Sequence, residues 1–318
     1  MIFWSTWVLV AGLGGTALQV QFPRAPLVTV GFAMVLLAVA AVRVWTGAGW
    51  PALGAVILAL LVWYLPLTPR ADRDWAPDVA KIVRGEMVGD QVTLHNVRAF
   101  RWHSATEAEE IWQTRRYDLS QLTGADMLTS VWGNPKIAHL VVSFGFVDGQ
   151  RVVFSVEIRR ERDEAFSSIG GFFRQFELAL IAADESDIIR LRTNHRAEDV
   201  RLYPLRLTPD QLRAVFLRYV ELGNDLNAQP RWYNTVTANC TSVVWGLVRV
   251  LDPDLPLNRA LLLSGLLPDW LYRLGVLADT GDLAAIKARA AISARALALP
   301  DAADFSAAIR APASDPLR

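Results

Sequence analysis

Three long apolar runs open the chain, and few polar positions interrupt them. The runs cover Ile2–Val20, Pro26–Trp45 and Trp50–Leu67, each close to the ~20 residues that a helix needs to cross a hydrocarbon core. Aromatic residues gather near the ends of the runs, as in the interfacial belts of membrane proteins: Trp4, Trp7, Trp45, Trp50, Trp63 and Tyr64. The pattern predicts a membrane anchor of three helices in residues 1–67.

The first run has a second interpretation as a signal peptide. It has no basic segment ahead of it and no clear cleavage site of small residues, which favours a retained helix. Arg24 and Arg43 are the only charges in residues 1–69, and they lie at opposite ends of the second run. Their effects on orientation nearly cancel, so charge alone does not orient the anchor.

After the apolar runs, the alternation of apolar and polar positions predicts strands. Residues 91–102 (QVTLHNVRAFRW) alternate like a strand, and residues 104–122 are predicted to form a short helix followed by a strand. Residues 136–161 hold two β-rich runs about an Asp-Gly turn, the clearest hairpin signal in the chain. Residues 176–194 predict one or two further strands.

Helical periodicity dominates the rest of the chain. Residues 208–229 predict an amphipathic helix with Thr208 as its N-cap and Gln211 near the capping-box position. The segment after Cys240 places a set of apolar side chains on one helical face: Val243, Val244, Leu247, Val248 and Leu251. The soluble part is therefore predicted to be α+β, with an antiparallel sheet and helices packed beside it. Its predicted boundaries are a linker at 68–90 and a domain at 91–318.

Composition narrows the function without naming it. Apolar residues make up 53% of the chain, charged residues 20%, and the net charge is zero, which argues against a nucleic-acid partner. A single cysteine excludes an internal disulfide and a cysteine-rich zinc site. Metal-ligand spacings and phosphate-binding glycine loops are absent from the sequence, so neither a metal nor a cofactor is predicted.

That cysteine, Cys240, lies in the segment YNTVTANCTS, just ahead of a predicted helix. Asn239 is a good N-cap residue and would place Cys240 in the first helical turn, where unpaired N–H groups and the helix dipole favour the thiolate. Asn239 and Asn234 are candidate oxyanion donors, although capping and turn roles explain them equally well. The alternative for Cys240 is a small buried hydrophobe.

A nucleophile needs a base, and His139 is the strongest candidate. It opens the apolar strand IAHLVVSFGF, where an imidazole is costly without a partner. The other histidines, His95, His103 and His195, lie in polar surroundings typical of the surface. A thiol at a helix start and an imidazole on a strand form the pair of papain-like enzymes, and His preceding Cys is the order of circularly permuted relatives.

The face that His139 shares depends on the register of the hairpin. A two-residue loop would place His139 opposite Ile158, with Glu157 on the other face. A three-residue loop of residues 148–150 would place His139 opposite Arg159. A slip of one residue exchanges the faces. The second register is preferred because it collects the polar side chains of both strands on one side: His139, Ser143, Ser155 and Glu157.

Several motifs together resemble the Lnb N-terminal periplasmic domain family, a bacterial group named after a lipoprotein N-acyltransferase. The most specific are SVEIRRE and YNTVTANCTS, and the similarity runs in order from residue 91 to residue 250, with related-looking helices as far as residue 310. The resemblance implies a permuted papain-like fold with Cys240 as nucleophile, His139 as base and Glu157 as the residue that orients the base. It also implies a periplasmic domain, and hence a cytoplasmic N-terminus in the inner membrane.

The chain departs from the family's namesake in one respect, since its apolar runs precede the domain instead of following it. The catalytic domain is the shared part, and the named reaction need not be. Other charged residues fall in matching motifs and are interpreted as a structural ion-pair network: Arg159, Asp184, Asp187 and Arg192.

The leading hypothesis is a membrane-anchored periplasmic thiol acyltransferase that forms a thioester. Phospholipid would be the acyl donor and the N-terminus of a lipoprotein the acceptor, with Ser155 as a positioning residue. One alternative keeps the site and acts as a cysteine amidase or peptidase on cell-wall peptides. Another is a non-enzymatic, membrane-anchored binding module with Cys240 buried far from His139.

Overall fold

The N-terminal runs form three helices that pack on one another in the computed structural model, which describes residues 1–300 and 304–311. The helices are α1 (Ile2–Gln21), α2 (Pro26–Thr46) and α3 (Trp50–Tyr64). In this part of the chain, α1 and α2 are long and apolar enough to cross a membrane. With 15 residues, α3 is shorter than predicted and rises about 22 Å, less than a ~30 Å hydrocarbon core.

The anchor and the soluble domain meet where α1 and α3 end. The side chain of Gln21 donates to the carbonyl oxygens of Phe173 and Arg174, at 2.7 and 2.8 Å. The Arg174 guanidinium in turn donates to the carbonyl oxygens of Tyr64, at 2.9 Å, and Leu67, at 3.1 Å. The segment around residues 173–174 therefore lies at the domain-side end of the anchor helices.

The soluble part is built on one mixed sheet. The strands of this sheet are β1 (Arg84–Val88), β2 (Gln91–Arg98), β5 (Trp112–Asp118), β6 (Leu122–Val131), β7 (Ala138–Phe146), β8 (Arg151–Arg159), β9 (Glu177–Ala183) and β10 (Asp199–Pro204). A separate two-stranded ribbon is formed by β3 (Arg101–Trp102) and β4 (Ala108–Glu109). The order is β1-β2-β9-β8-β7-β6-β10, with β5 also paired to β2. All neighbours are antiparallel except β2 and β9.

Two predictions, the linker at 68–90 and the helix at the start of 104–122, were wrong. The predicted linker at 68–90 contains β1, which pairs with β2, and buries Val79 and Val83 in the core. The predicted helix at the start of 104–122 is replaced by a turn and β4, because the Ser104 hydroxyl accepts the N–H groups of Thr106 and Glu107. The strand predicted after it is present as β5.

The β7–β8 hairpin keeps the predicted faces with a different register. Val141 lies opposite Ser155, which shifts the strands by two residues from the preferred register. The loop is Val147–Gly149 in place of 148–150: the Phe146 N–H donates to Gln150, and Gly149 takes the left-handed backbone (φ +85°) that favours glycine. Because side chains alternate, a two-residue shift leaves the same set on one face.

Helices cover both faces of the sheet. They are α4 (Ser168–Phe172), α5 (Glu185–Arg190), α6 (Pro209–Ala228), α7 (Cys240–Val248), α8 (Leu267–Arg273), α9 (Leu283–Ala290), α10 (Ser293–Leu297) and α11 (Phe305–Ala308). The predicted capping box of α6 is present. On the apolar face, Tyr219 of α6 stacks on Phe154 with ring centroids 4.8 Å apart, and Phe216 meets Phe154 edge-to-face at 5.4 Å. The α+β prediction, with a mostly antiparallel sheet and flanking helices, is confirmed.

The C-terminal helices close over the opposite face. The Arg310 guanidinium reaches carboxylate oxygens of Asp126 and Glu185, at 2.6 Å each. Glu185 also accepts the Ser143 hydroxyl at 2.5 Å, and the Glu185 side chain is fully buried. A buried carboxylate needs such partners, so this contact ties the end of the chain to the centre of the sheet.

Candidate active site

Cys240 is the first residue of α7, and Asn239 caps that helix. The Asn239 side-chain oxygen accepts the N–H groups of Thr241 and Ser242, at 2.8 Å each, and the Ser242 hydroxyl accepts the Asn239 N–H at 2.9 Å. The Asn239 amide nitrogen donates to the Thr235 carbonyl at 2.8 Å. Both ends of this amide are engaged, so Asn239 holds the helix start in place and is not a free oxyanion donor.

Asn234 has a turn role. Its side-chain oxygen accepts the N–H groups of Val236 and Thr237, at 3.0 Å each, and its backbone pairs with Ala238. Asn234 thus shapes the loop that leads into α7, and its side chain does not line the cleft around Cys240. The turn explanation accounts for the contacts of its side-chain oxygen.

His139 approaches Cys240 where β7 and β8 stop pairing. The last backbone pair of the two strands is Val141 with Ser155. The N–H of the next residue along β7, Leu140, hydrogen-bonds the Cys240 thiol. The His139 side chain also hydrogen-bonds that thiol. The two side chains that sequence analysis paired, remote along the chain, are in direct contact.

The other side of His139 is held by two residues of β8. Its Nε2 atom lies 2.8 Å from the Ser155 hydroxyl and 3.1 Å from a carboxylate oxygen of Glu157. The Ser155 hydroxyl donates to the same Glu157 oxygen at 2.7 Å. Ser155 therefore bridges imidazole and carboxylate, and the structure brings Cys240, His139, Ser155 and Glu157 together.

Arg192 completes the cluster. The sequence placed it in an ion-pair network, and its partner in the structure is Glu157. Its guanidinium donates to Glu157 at 3.1 Å, and the residue is only 5% exposed. Arg192 lies in a π-helical turn, Leu191–His195, that continues α5. Such turns are rare and often mark functional sites. The turn directs Arg192 at the sheet.

The charged residues of the neighbouring motifs make contacts within the fold, two of them as ion pairs. The carboxylate of Asp187 is fully buried and accepts two hydrogen bonds from Arg98, at 2.8 and 3.0 Å. Asp184 pairs with Arg115. Arg159 donates to the Val79 and Ala80 carbonyl oxygens, at 3.2 and 2.7 Å.

Electrostatics favour an ion pair between thiol and imidazole. Burial alone would lower the pKa of His139. The Glu157 carboxylate, together with the hydrogen bond that the imidazolium donates to Cys240, outweighs burial and the Arg192 cation and raises this pKa to about 9. Burial would raise the pKa of Cys240, but contact with His139 and the Leu140 N–H lowers it. Despite burial, His139, Arg192 and Ser155 hold the pKa of Glu157 well below its usual range. Both shifts favour the charged pair, a Cys240 thiolate facing a His139 imidazolium.

The cluster opens into a cleft of about 480 Å³. Arg192, Arg196 and Glu198 line its polar side, while Trp132 and Phe166 lie at its rim, 45% and 56% exposed. Among residues 1–300 and 304–311, no group of three or more His, Cys, Asp or Glu side chains is arranged to hold a metal ion. The Cys240 thiol and the His139 imidazole therefore lie side by side in the lining of this cleft.

Comparison with known proteins gives one match. The family model described as the Lnb N-terminal periplasmic domain matches residues 108–274, a stretch that includes His139, Glu157 and Cys240. No curated protein and no solved structure matches the chain.

Proposed function

Since the chain belongs to the Lnb N-terminal periplasmic domain family, and two apolar helices that could span a membrane precede its domain, we propose that it is a membrane-anchored periplasmic thiol acyltransferase. Cys240 is the nucleophile, His139 the acid and base, and Glu157 the residue that orients His139. The acyl donor is a phospholipid, and the acceptor is an amine such as the N-terminus of a lipoprotein.

The observation that carries the proposal is the contact between Cys240 and His139 within the cleft. A thiol whose pKa is lowered, at a helix N-terminus beside a cationic imidazole, is the microenvironment of reactive cysteines. A binding module with a buried, unpartnered thiol would not need that contact, which argues against the non-enzymatic alternative.

The geometry supports a two-step transfer. The Cys240 thiolate attacks the ester carbonyl, a carbon–sulfur bond forms, the ester carbon–oxygen bond breaks, and the His139 imidazolium gives its proton to the departing alkoxide. The acceptor amine then attacks the thioester, a carbon–nitrogen bond forms and the carbon–sulfur bond breaks. Neutral His139 takes the amine proton, which restores the thiolate–imidazolium pair. The Leu140 N–H, which hydrogen-bonds the sulfur, is a backbone donor for the carbonyl oxygen.

The position of the cleft supports a substrate held in the membrane. Arg24, just after α1, pairs with Asp163 at 2.5 Å, and Gln21 bonds the carbonyl oxygens of Phe173 and Arg174. Residues 163–174 thus lie at the domain-side end of the anchor, and Phe166 of this segment lines the cleft. Anchoring the enzyme beside a lipid substrate raises the effective concentration of each for the other.

One observation favours the amidase alternative. The cleft carries charged side chains, including Arg192, Arg196 and Glu198, and such a wall also suits a polar peptide. Assays with a phospholipid donor and with cell-wall peptides, run on the same preparation, separate the two reactions because only the first leaves a long acyl group on Cys240.

The test uses the full chain in phospholipid nanodiscs. Mass spectrometry should find an acyl adduct on Cys240 that hydroxylamine removes, since thioesters are hydroxylamine-sensitive. Adding a lipopeptide with a free N-terminal amine should discharge the adduct onto the amine. In cells, lipoproteins from a strain that lacks the gene should keep the free N-terminal amines that are acylated in a wild-type strain.

Matched variants define the outcome. Cys240→Ser and His139→Gln should abolish the adduct, whereas His103→Gln, a change at an exposed histidine, should retain it. Acyl transfer that continues in Cys240→Ser would show that the nucleophile is wrong.

A further inference from the structure

A second cavity lies behind the cleft, against the apolar face of the sheet. It measures about 300 Å³, is partly open to solvent and is lined by side chains from the sheet, α6, α7 and α8. Its wall is largely apolar and includes Leu140, Val142, Val215, Val244, Val248, Leu267, Leu271 and Leu274. Ligand sites are typically concave, mostly apolar pockets of this order of size, and a pocket with this lining suits a hydrocarbon group.

One face of α7 connects this cavity to the nucleophile. Thr241, Val244, Trp245 and Val248 line the cavity at helical spacings of three and four residues, starting at the residue after Cys240. Thr241 and Leu261 line the cleft and the cavity alike. The Thr241 hydroxyl oxygen lies 3.7 Å from the Cys240 sulfur. The Cys240 sulfur thus lies near the boundary between the cleft, which carries charged side chains, and the largely apolar cavity.

We propose that this cavity, which runs along α7 from Thr241 to Val248, is the binding site for the hydrocarbon chain of the acyl group that Cys240 carries. The inference rests on the proposed acyl transfer and adds to it the location of the chain. A chain that enters past Thr241 and Leu261 leaves its carbonyl carbon at the sulfur. The polar remainder of the donor then stays in the cleft.

The dimensions fit a medium-length chain. A methylene group fills roughly the ~30 Å³ that a water molecule occupies in the liquid, so the cavity accommodates about ten carbons. Thr241 and Val248 are seven residues apart, about 10 Å along the helix. Acyl groups up to this length should gain affinity with each added carbon, and longer ones should gain little more.

The single cysteine of the chain allows a direct measurement. Alkyl methanethiosulfonates transfer an alkylthio group to a thiolate: a new disulfide forms at Cys240 and methanesulfinate leaves. Reagents with methyl, butyl, octyl and hexadecyl groups are applied to the full chain in nanodiscs, and rates are followed by mass spectrometry. The octyl-to-methyl ratio of rate constants should be at least tenfold larger in wild type than in Val248→Trp, which fills the cavity.

Val250→Trp is the matched control, since Val250 lies two residues further along and is 49% exposed. It should keep the wild-type ratio. Partition of reagents into the nanodisc is the same for all variants and cancels in the comparison. Equal ratios in wild type and both variants would overturn the proposal.

A second readout does not need a reactive thiol or a cavity-filling variant. Decanoic acid should raise the melting temperature of Cys240→Ala by several degrees more than butanoic acid does. An equal effect of the two acids would also overturn the proposal. If the cavity tests succeed while phospholipid leaves no thioester on Cys240, the proposed function fails and the chain-binding site stands. If phospholipid leaves a thioester on Cys240 but the cavity tests show no dependence on chain length, the proposed function stands and the chain-binding site fails.

Discussion

At the scale of single residues, the charge on His139 controls the reactivity of Cys240. With its pKa raised to about 9, His139 stays protonated through neutral pH and stabilises the thiolate. Alkylation of Cys240 by iodoacetamide should therefore show a midpoint below the ~8.5 of an ordinary thiol. In His139→Gln the midpoint should move up towards that value. Mass spectrometry of the single cysteine across a pH series measures both, and an unchanged midpoint in the variant would contradict the ion pair.

Glu157 is expected to set the basic limb of the dependence of the acylation rate on pH. Its carboxylate is the main group that raises the pKa of His139, so Glu157→Gln should lower that pKa. His139 then loses its proton at lower pH, and the basic limb of the acylation rate should shift to lower pH. The acylation rate itself should fall roughly 10²- to 10⁴-fold, as when the orienting residue of a triad is neutralised. Glu86→Gln, at a carboxylate with a 60% exposed side chain, should change neither quantity.

The residues of the site divide by what a sequence can reveal. Cys240 and His139 were predicted from their local patterns, and Glu157 from the faces of the hairpin and the family resemblance; the structure brings all three together. The Leu140 N–H was not predictable, since a backbone donor has no sequence signature. Arg192 lies in a motif rich in structural ion pairs, and only the three-dimensional contact with Glu157 separates it from them.

At the scale of elements, the N-terminus of α7 positions the sulfur. Asn239→Ala removes the acceptor of two backbone N–H groups and the bond to Thr235, and it should destabilise the chain by about 1 kcal/mol. The start of the helix would then fray, so the alkylation rate of Cys240 at neutral pH should also fall. Asn239→Asp keeps the capping oxygen and should preserve most of the stability. Thermal unfolding and the alkylation rate of Cys240 are measured for both variants. A lower alkylation rate in Asn239→Ala without a loss of stability would show that the effect of the cap is only local.

The elements themselves were predicted to different extents. Long periodic segments such as α6, with its capping box, follow from sequence because many positions repeat one signal. The faces of the hairpin also follow from alternation, but its register did not, since the Asp148-Gly149 pair fits more than one loop. The strand β1 was missed because residues 84–88 are mostly exposed and carry little apolar alternation. Its place depends on pairing with β2, which is a tertiary contact.

At the scale of the whole molecule, the anchor and the cleft share one end of the soluble domain. The segment that touches α1 also exposes apolar side chains: Phe166, Ile169 and Phe172 are 56%, 59% and 48% exposed. Exposed apolar groups beside a membrane anchor indicate contact with the bilayer surface. The cleft would then receive lipid from the membrane without releasing it into water.

In the proposed acyl transfer, the exposed segment should therefore affect the delivery of membrane lipid to the cleft and not the reaction at Cys240. The double variant Ile169→Asp with Phe172→Asp should reduce acylation of Cys240 by vesicle phospholipid at least tenfold, because charged groups oppose contact with the apolar part of the bilayer. Acylation by a water-soluble short-chain thioester should stay near wild type, since neither side chain lines the cleft. Val147→Asp changes an equally exposed residue, at the hairpin loop far from His139, and should affect neither reaction. If the double variant loses both reactions equally, the segment supports the fold of the cleft and does not present lipid to it.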